Sequence, residues 1–308
     1  MNRRDITIIG PGSVGSFLTY ILNRSDVEPV LVFREVVSNE IYIDLREEKT
    51  VKLRYRPSLY NNRDWVDSKI IIITSKAYDA EKILIDLRSL NIKPDLILLV
   101  QNGLKIFELA TEFFGPDKVA QIVLNHGIER VDKNRFKWNG GGISYLGMLK
   151  NYSNTLLGYI YDLFKDLGII LVDDIQPYRW LKLAVNSVIN PMTALLRERN
   201  KVVVENIYIR DYLAKRVCEE VKEVAERLGI VLPKDPYEET LRVARETGDN
   251  VSSMLKDLIN CRKTEIDYIN GAVVEFGRKI GLKTYVNETL YYLVKSREMM
   301  CHARENYS

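Results

Sequence analysis

The segment Gly10-Pro11-Gly12-Ser13-Val14-Gly15 constrains this chain more than any other. It follows the apolar run Ile6–Ile9 and opens a stretch in which Val14, Phe17, Leu18, Ile21 and Leu22 recur at helical spacing. A strand buried on both faces, a glycine turn and a helix are therefore predicted. Gly10 permits the tight turn, Gly12 lets main chain approach a pyrophosphate, and Gly15 lets the helix pack closely on the strand. The helix start offers free N–H groups and partial positive charge to a phosphate, so all six residues are candidate dinucleotide contacts. A glycine-rich turn that holds no ligand is the alternative.

The same rhythm continues. Val30–Phe33, Lys69–Thr74 and Leu96–Val100 read as buried strands, with Ala80, Ile83, Leu84 and Leu87 forming a helical stripe between the last two. Thr50–Tyr55 reads as an antiparallel excursion. Val119–Val123 and Ile143–Leu146 extend the sheet, with a turn at Gly140–Gly142 between them. Residues 1–173 are thus expected to form an α/β domain of Rossmann type with a parallel sheet. After residue 174 strand-like runs largely vanish. Helices are predicted over Tyr178–Leu196, Asp211–Leu228, Tyr237–Arg245, Met254–Ile280 (ended by Gly281) and Val286–Lys295, making residues 174–308 an all-α domain.

Composition excludes several classes. In 308 residues, 45 basic side chains face 42 acidic ones, so no polycationic field points to nucleic acid. No apolar run approaches the roughly 18 residues of a membrane helix. The basic start, Met1-Asn2-Arg3-Arg4, lacks the apolar core of a secretion signal. Cys218, Cys261 and Cys301 are widely spaced and read as reduced thiols of a cytoplasmic protein. His126 and His302 stand far apart with no Cys/His cluster, so no metal is expected.

At the end of the second strand, Arg34 precedes Glu35. An arginine there can pair with a 2′-phosphate, whereas a carboxylate holds a ribose 2′-hydroxyl. Arg34 favours NADP (as NADPH) and Glu35 keeps NAD open, while an ordinary solvated charge is the plain reading of Arg34.

The stretch from Trp180 to Leu196 is almost wholly apolar, yet Lys182, Asn186 and Asn190 recur every fourth residue along one edge. Burying such groups without partners is costly, so something polar should face that edge. Pro191 disfavours helical geometry at Asn190, so a kink or break is expected beside it. Asparagines bridging two helices, with Lys182 snorkelling to solvent, is the competing reading.

With these blocks the chain resembles the ketopantoate reductase (2-dehydropantoate 2-reductase) family nearly end to end. The resemblance is carried by Gly10–Gly15, Thr74-Ser-Lys76-Ala-Tyr78, Val100-Gln-Asn102-Gly103, Lys182 through Pro191, Ser252-Ser253-Met-Leu-Lys-Asp257 and Thr264-Glu265-Ile-Asp-Tyr-Ile-Asn270-Gly271. It implies a dinucleotide-binding domain and a helical domain with the active site between them. It implies NADPH-dependent reduction of 2-dehydropantoate to (R)-pantoate, in pantothenate and coenzyme A biosynthesis. Lys182 matches the family's proton donor and Glu265 a carboxylate associated with the lysine and cofactor. Asn186, Asn190, Asn200 and Ser253 match substrate-binding residues. Asn102 and Lys76 match residues near the nicotinamide and its ribose, Arg34 the 2′-phosphate arginine, and Ile128 a position whose main chain contacts cofactor.

Plain readings stand beside these. Ser253 suits the N-cap of the helix over Met254–Ile280, and Glu265 a solvated flank of it. On one straight helix the two would lie about 120° apart. Two rival functions remain: another two-domain NAD(P)-dependent dehydrogenase of a 2-hydroxy acid or sugar phosphate, and an NADP-binding sensor without turnover. The partner expected is a small 2-oxo acid, and a homodimer is left open.

Overall fold

The computed structural model describes residues 6–35, 40–46 and 49–305, with main chain only over 302–305. The basic residues at positions 1–4 and the side chain of His302 lie outside the described residues. Two compact units are present: one of residues 1–101 and 106–175, the other of residues 102–105 and 176–308.

In the first unit the strands are β1 (Ile6–Ile9), β2 (Val30–Phe33), β3 (Tyr42–Asp44), β4 (Thr50–Lys52), β5 (Arg56–Leu59), β6 (Ile70–Ile73), β7 (Leu96–Leu99), β8 (Val119–Val123), β9 (His126–Asp132), β10 (Arg135–Gly141), β11 (Ser144–Gly147) and β12 (Ile169–Val172). Interspersed are α1 (Ser13–Arg24), α2 (Ala77–Ser89), α3 (Lys105–Phe114) and α4 (Thr155–Phe164). The large sheet runs β12-β11-β8-β7-β6-β1-β2-β5. Pairing is parallel from β8 through β5, and β11 alone meets its neighbour β8 antiparallel. The consecutive apolar runs of β1, β6 and β7 are buried at every position, as strands covered on both faces require. The order β5-β2-β1-β6-β7-β8 is that of a doubly wound dinucleotide fold, whose reversal point falls between β1 and β6. The Rossmann-type expectation for this half is met.

Two features were not predicted. β9 and β10 form a hairpin, placing Gly140 and Gly141 in a strand rather than a turn, and with β3 and β4 they make a second sheet ordered β4-β3-β10-β9. The hairpin's weak signal has a physical cause: β9 is mostly exposed and charged, so it shows no buried run. Its anchors are Phe136, fully buried, and Trp138, whose ring lies against Phe17 of α1 at 5.3 Å. Arg56–Leu59 adds an edge strand in which Pro57 is tolerated.

The second unit is helical: α5 (Gln176–Leu196), α6 (Val202–Glu205), α7 (Lys215–Arg227), α8 (Pro236–Glu246), α9 (Ser253–Ile259), α10 (Asn270–Lys279) and α11 (Tyr285–Glu305). A π-helical stretch, Ile209–Ala214, leads into α7. α5 runs through the middle, packing on α7, α8, α9 and α11. Trp180, Leu183 and Ala184 join one apolar cluster and Val185, Val188, Ile189 and Met192 another, so the helix is buried nearly all round.

The long helix expected over Met254–Ile280 is a correction. It is broken into α9, a turn with Cys261 at φ +47°, a 3-10 turn over Ile266–Tyr268, and α10. No large apolar residue occurs between Ile259 and Ile266, so a helix there would have had no core-facing side chain to hold it. Gly281 does end α10, at φ +74°.

Candidate active site

In the helical unit, four predicted residues converge from three segments. Lys182 and Asn186 stand one turn apart on α5; Asn102 comes from the tetrapeptide Asn102–Lys105; Glu265 precedes the 3-10 turn. Asn186 Nδ2 donates to Asn102 Oδ1 at 3.5 Å, and Asn102 Nδ2 donates to Glu265 Oε2 at 3.4 Å. Both bonds are long, and amides held this loosely are open to a better partner. Glu265 is buried, which corrects the reading of it as a solvated flank. Burial pushes the Lys182 ammonium down to about 8, while the charge of Glu265 pulls it upward. A lysine so tuned exchanges a proton readily near neutrality.

Each segment is braced. The buried Arg179, one turn before Lys182, donates to the Leu104 carbonyl at 2.7 Å and ties the tetrapeptide to α5. Lys105 pairs with Glu275 of α10 at 2.6 Å. Gly103, at φ +83°, allows the closest approach: a Cβ there would sit 2.0 Å from the Tyr268 carbonyl oxygen. The Glu265 turn hangs from α11, where buried Glu298 accepts from the Thr264 main chain at 2.7 Å and its hydroxyl at 2.6 Å. Gly103 and Glu298 were not singled out from sequence. Gly103 lies within a recognised block, whereas nothing local to Glu298 marks it.

Asn190, buried on α5, lies one turn beyond Asn186 on the same edge. Pro191 does not break the helix, which corrects that part of the expectation, since α5 continues to Leu196. Asn200 is buried and tied elsewhere: its Nδ2 donates to the Thr247 hydroxyl at 2.9 Å and its N–H to the Asn250 carbonyl at 3.0 Å. Ser253 is exposed and makes no hydrogen bond to the other predicted residues among those described. The N-cap of α9 is its neighbour Ser252, which accepts from the Leu255 N–H at 3.1 Å and meets the Thr193 hydroxyl of α5 at 2.6 Å. Ser253 instead opens α9, and the break before Glu265 removes the rotation problem of a single straight helix.

In the first unit, Gly10 (φ +96°) makes the turn after β1, and the Thr74 hydroxyl of the neighbouring strand end donates to its carbonyl at 2.6 Å. A Cβ on Gly15 would meet the Gly10 carbonyl oxygen at 2.7 Å, so glycine is needed for packing there. Gly12 differs. Nothing lies within 4 Å of where its Cβ would be, and no side chain caps α1. Open space over a glycine at an uncapped helix start, beside the sheet's reversal point, fits a dinucleotide pyrophosphate. Pro11, Ser13 and Val14 are half-buried around it. Arg34 is largely exposed at the end of β2 and pairs with Asp79 in the first turn of α2, with Glu35 exposed next to it. Lys76, half-buried, immediately precedes α2. Ile128 lies in β9 opposite Trp138, in the second sheet. Among the described residues no group of three or more His, Cys, Asp or Glu could hold a metal ion.

Comparison with known proteins adds the following. A family model described as Ketopantoate reductase PanE/ApbA matches residues 6–151, and its C-terminal counterpart matches residues 174–298. A 2-dehydropantoate 2-reductase of Pyrobaculum aerophilum is 37% identical over 97% of this chain and 99% of that protein. One from Archaeoglobus fulgidus is 29% identical over 97% and 99%. Among solved structures, a PanE/ApbA family ketopantoate reductase of Ralstonia eutropha superposes with TM-score 0.85 at 21% identity, covering 97% of this chain and 99% of that one. A D-mandelate dehydrogenase solved with NADH and anilino(oxo)acetate gives 0.84 at 22%, over 97% and 99%; at these identities both establish the fold.

Proposed function

We propose a reductase role for this chain, which belongs to the ketopantoate reductase PanE/ApbA family: NADPH-dependent conversion of 2-dehydropantoate to (R)-pantoate. The observation that carries the reading is a half-buried lysine with lowered proton affinity, one turn from Asn186, which donates to Asn102, which in turn donates to the Glu265 carboxylate whose charge acts on the lysine.

On this reading the first unit binds the cofactor and the helical unit the substrate. Gly10–Gly15 and the start of α1 hold the pyrophosphate, Arg34 the 2′-phosphate, and Lys76, Asn102 and Ile128 contribute toward the ribose and nicotinamide. When bound there, a reduced nicotinamide would supply the hydride that the C2 ketone takes up. Lys182 donates the proton that the carbonyl oxygen gains, and recovers one from solvent. As charge develops on that oxygen, the ammonium and the Asn186 amide stabilise it with dipoles already in place. Glu265 keeps Lys182 protonated against the cost of burial, because its charge opposes the desolvation effect. Asn190, Asn200 and Ser253 are the further substrate contacts of the proposal; the bonds of Asn200 to Thr247 and Asn250 would have to yield or be supplemented.

No helix among the described residues is long and apolar enough to cross a membrane, and a cytoplasmic enzyme with a small 2-oxo acid substrate is the reading. A homodimer fits the family, since a Staphylococcus aureus ketopantoate reductase of similar fold is described as dimeric. The deciding experiment is oxidation of NADPH, followed at the nicotinamide absorbance, with 2-dehydropantoate as sole acceptor and a panel of 2-oxo acids and sugar phosphates beside it. Turnover confined to another acceptor would transfer the assignment to a different dehydrogenase. Cofactor binding without any turnover would support the sensor instead.

A further inference from the structure

Pro191 stands inside α5, four residues after Ser187. In an uninterrupted helix the N–H of residue 191 would bond to the carbonyl of residue 187, and proline has no N–H. Ser187 is fully buried, so solvent offers no replacement. The missing donor comes from another helix: Asn270 Nδ2, at the start of α10, donates to the Ser187 carbonyl at 3.0 Å.

The direction of that bond is set at the far end of a chain of amides. Glu220 accepts from the main-chain N–H groups of Val286 and Asn287 at 2.9 Å and from Asn287 Nδ2 at 2.8 Å. With its amino group committed there and to the Val217 carbonyl at 3.3 Å, Asn287 presents its Oδ1 to Asn270 at 3.0 Å. Only an amino group can answer an oxygen, so Asn270 must turn Nδ2 toward it, and the second hydrogen of that group falls to Ser187. Both asparagines are fully buried, where a wrongly turned amide would be costly.

We propose that Asn270, oriented by Asn287 and Glu220, is a positioning residue: it replaces the donor that Pro191 lacks and holds the turns of α5 bearing Asn186 and Asn190 in register. The inference rests on the reductase reading above. Ser187 directly follows Asn186, and Asn190 directly precedes the proline. Without the bond, α5 is free to hinge at Pro191, where the ring already crowds the preceding turn. The substrate amides would then lose alignment with Lys182, while the glycine loop, in the other unit, is untouched.

The test is a double-mutant cycle with Asn270→Leu and Pro191→Ala. Alanine restores a main-chain N–H for the Ser187 carbonyl and so removes the part of the Asn270 loss that passes through α5, while the bond to Asn287 Oδ1 is lost in either background. Asn270→Leu is expected to raise KM for 2-dehydropantoate about tenfold, leave KM for NADPH within about twofold, and recover to within about threefold of the parent when Pro191→Ala is added. Amide hydrogen exchange along α5 should quicken in Asn270→Leu and slow again in the double variant. A merely structural loss would shrink the active fraction and leave both KM values in place. If Asn270→Leu does not fold, rescue of folded, cooperatively melting protein by Pro191→Ala is the same result in another readout. Losses equal with and without Pro191→Ala overturn the inference. The melting and exchange arms need no substrate, so a parent chain that fails to turn over 2-dehydropantoate counts against the reductase reading alone.

Discussion

Gly103 and the main-chain carbonyl of Tyr268 approach so closely that a Cβ on the glycine would lie 2.0 Å from the oxygen. The same glycine has φ +83°, which L side chains rarely adopt. Two independent penalties therefore fall on one methyl group, and both act on the segment that carries Asn102. Gly103→Ala should cost about 1–3 kcal/mol and reduce kcat of the folded enzyme, as Asn102 and the Glu265 turn are pushed apart. Thermal melting and steady-state rates check it. A variant with unchanged melting and unchanged kcat would show that this approach is not needed.

With Lys182 as the proposed proton donor, its titration is expected to set the pH dependence of reduction. With its pKa at about 8, kcat/KM should be level below that pH and fall about tenfold per unit above it, because the reaction consumes the ammonium proton. Glu265→Gln removes an influence that raises the value, so the descending limb should move to lower pH. Lys182→Ala should lower kcat about 10²–10⁴-fold with little change in NADPH binding. A pH–rate profile whose limb is the same in parent and Glu265→Gln would remove the carboxylate from this role.

Burial of the same lysine also predicts a stability effect, with a definite sign. In the folded chain burial brings its pKa down to about 8, below the ordinary lysine value of 10.5. Between the two the unfolded chain holds more protons than the native one, so this group's contribution to stability rises with pH across that window. Below pH 8 the charged, desolvated form destabilises the native state in full. Lys182→Met should therefore gain in melting temperature over the parent at neutral pH, and the gain should shrink as pH rises from 8 toward 10.5. A gap that stays constant across that range contradicts the burial argument.

Two glycines of the first turn should behave oppositely. Gly12→Ala points a methyl into open space and should leave melting within about 2 °C while weakening dinucleotide binding at least tenfold. Gly15→Ala meets the Gly10 carbonyl at 2.7 Å and should lower the melting temperature itself. Calorimetric titration with NADPH beside melting curves separates the two, and binding unaffected in Gly12→Ala would place the pyrophosphate elsewhere.

Arg34 pairs with Asp79 across the ends of β2 and α2. Arg34→Ala should raise KM for NADPH about tenfold or more and leave KM for NADH nearly unchanged, since only the former offers a 2′-phosphate to a guanidinium. Equal changes for both cofactors would leave Arg34 an ordinary surface charge and return the choice to Glu35.

Much of this molecule could be read from one chain because its signals are local. Buried parallel strands are uninterrupted apolar runs, and the glycine loop announces its own flanks; β1, β2, β6 and β7 came out of pattern within a residue or two. What escaped depends on contacts distant in sequence. The β9–β10 hairpin is exposed and charged, its register held by Phe136 and Trp138 against partners on other elements. The break between α9 and α10 was hidden because Leu258 and Ile266 are eight residues apart, a separation that helical spacing accommodates, although the side chains between do not. Pro191 was read correctly as a missing donor, but the helix survives because Asn270, 79 positions after it (270 − 191), fills the gap. Ser252 and Ser253 are alike in composition, and only the partner on α5 singles out Ser252 as the buried one. Lys182 and Asn186 were legible as polar intruders on a greasy helix; Gly103 and Glu298, which seat their partners, were not.

The tetrapeptide Asn102–Lys105 belongs to the helical unit although strand β7 precedes it and helix α3 follows it in the other. The chain thus crosses between units three times, and no single cut yields two complete pieces. A recombinant that took residues 176–308 from a relative would inherit new helices yet keep its own Asn102 and Gly103, mating them with a foreign Glu265 turn. Productive exchange of halves requires three joints, so sequence drift in this short insert and in the distal half must be inherited together.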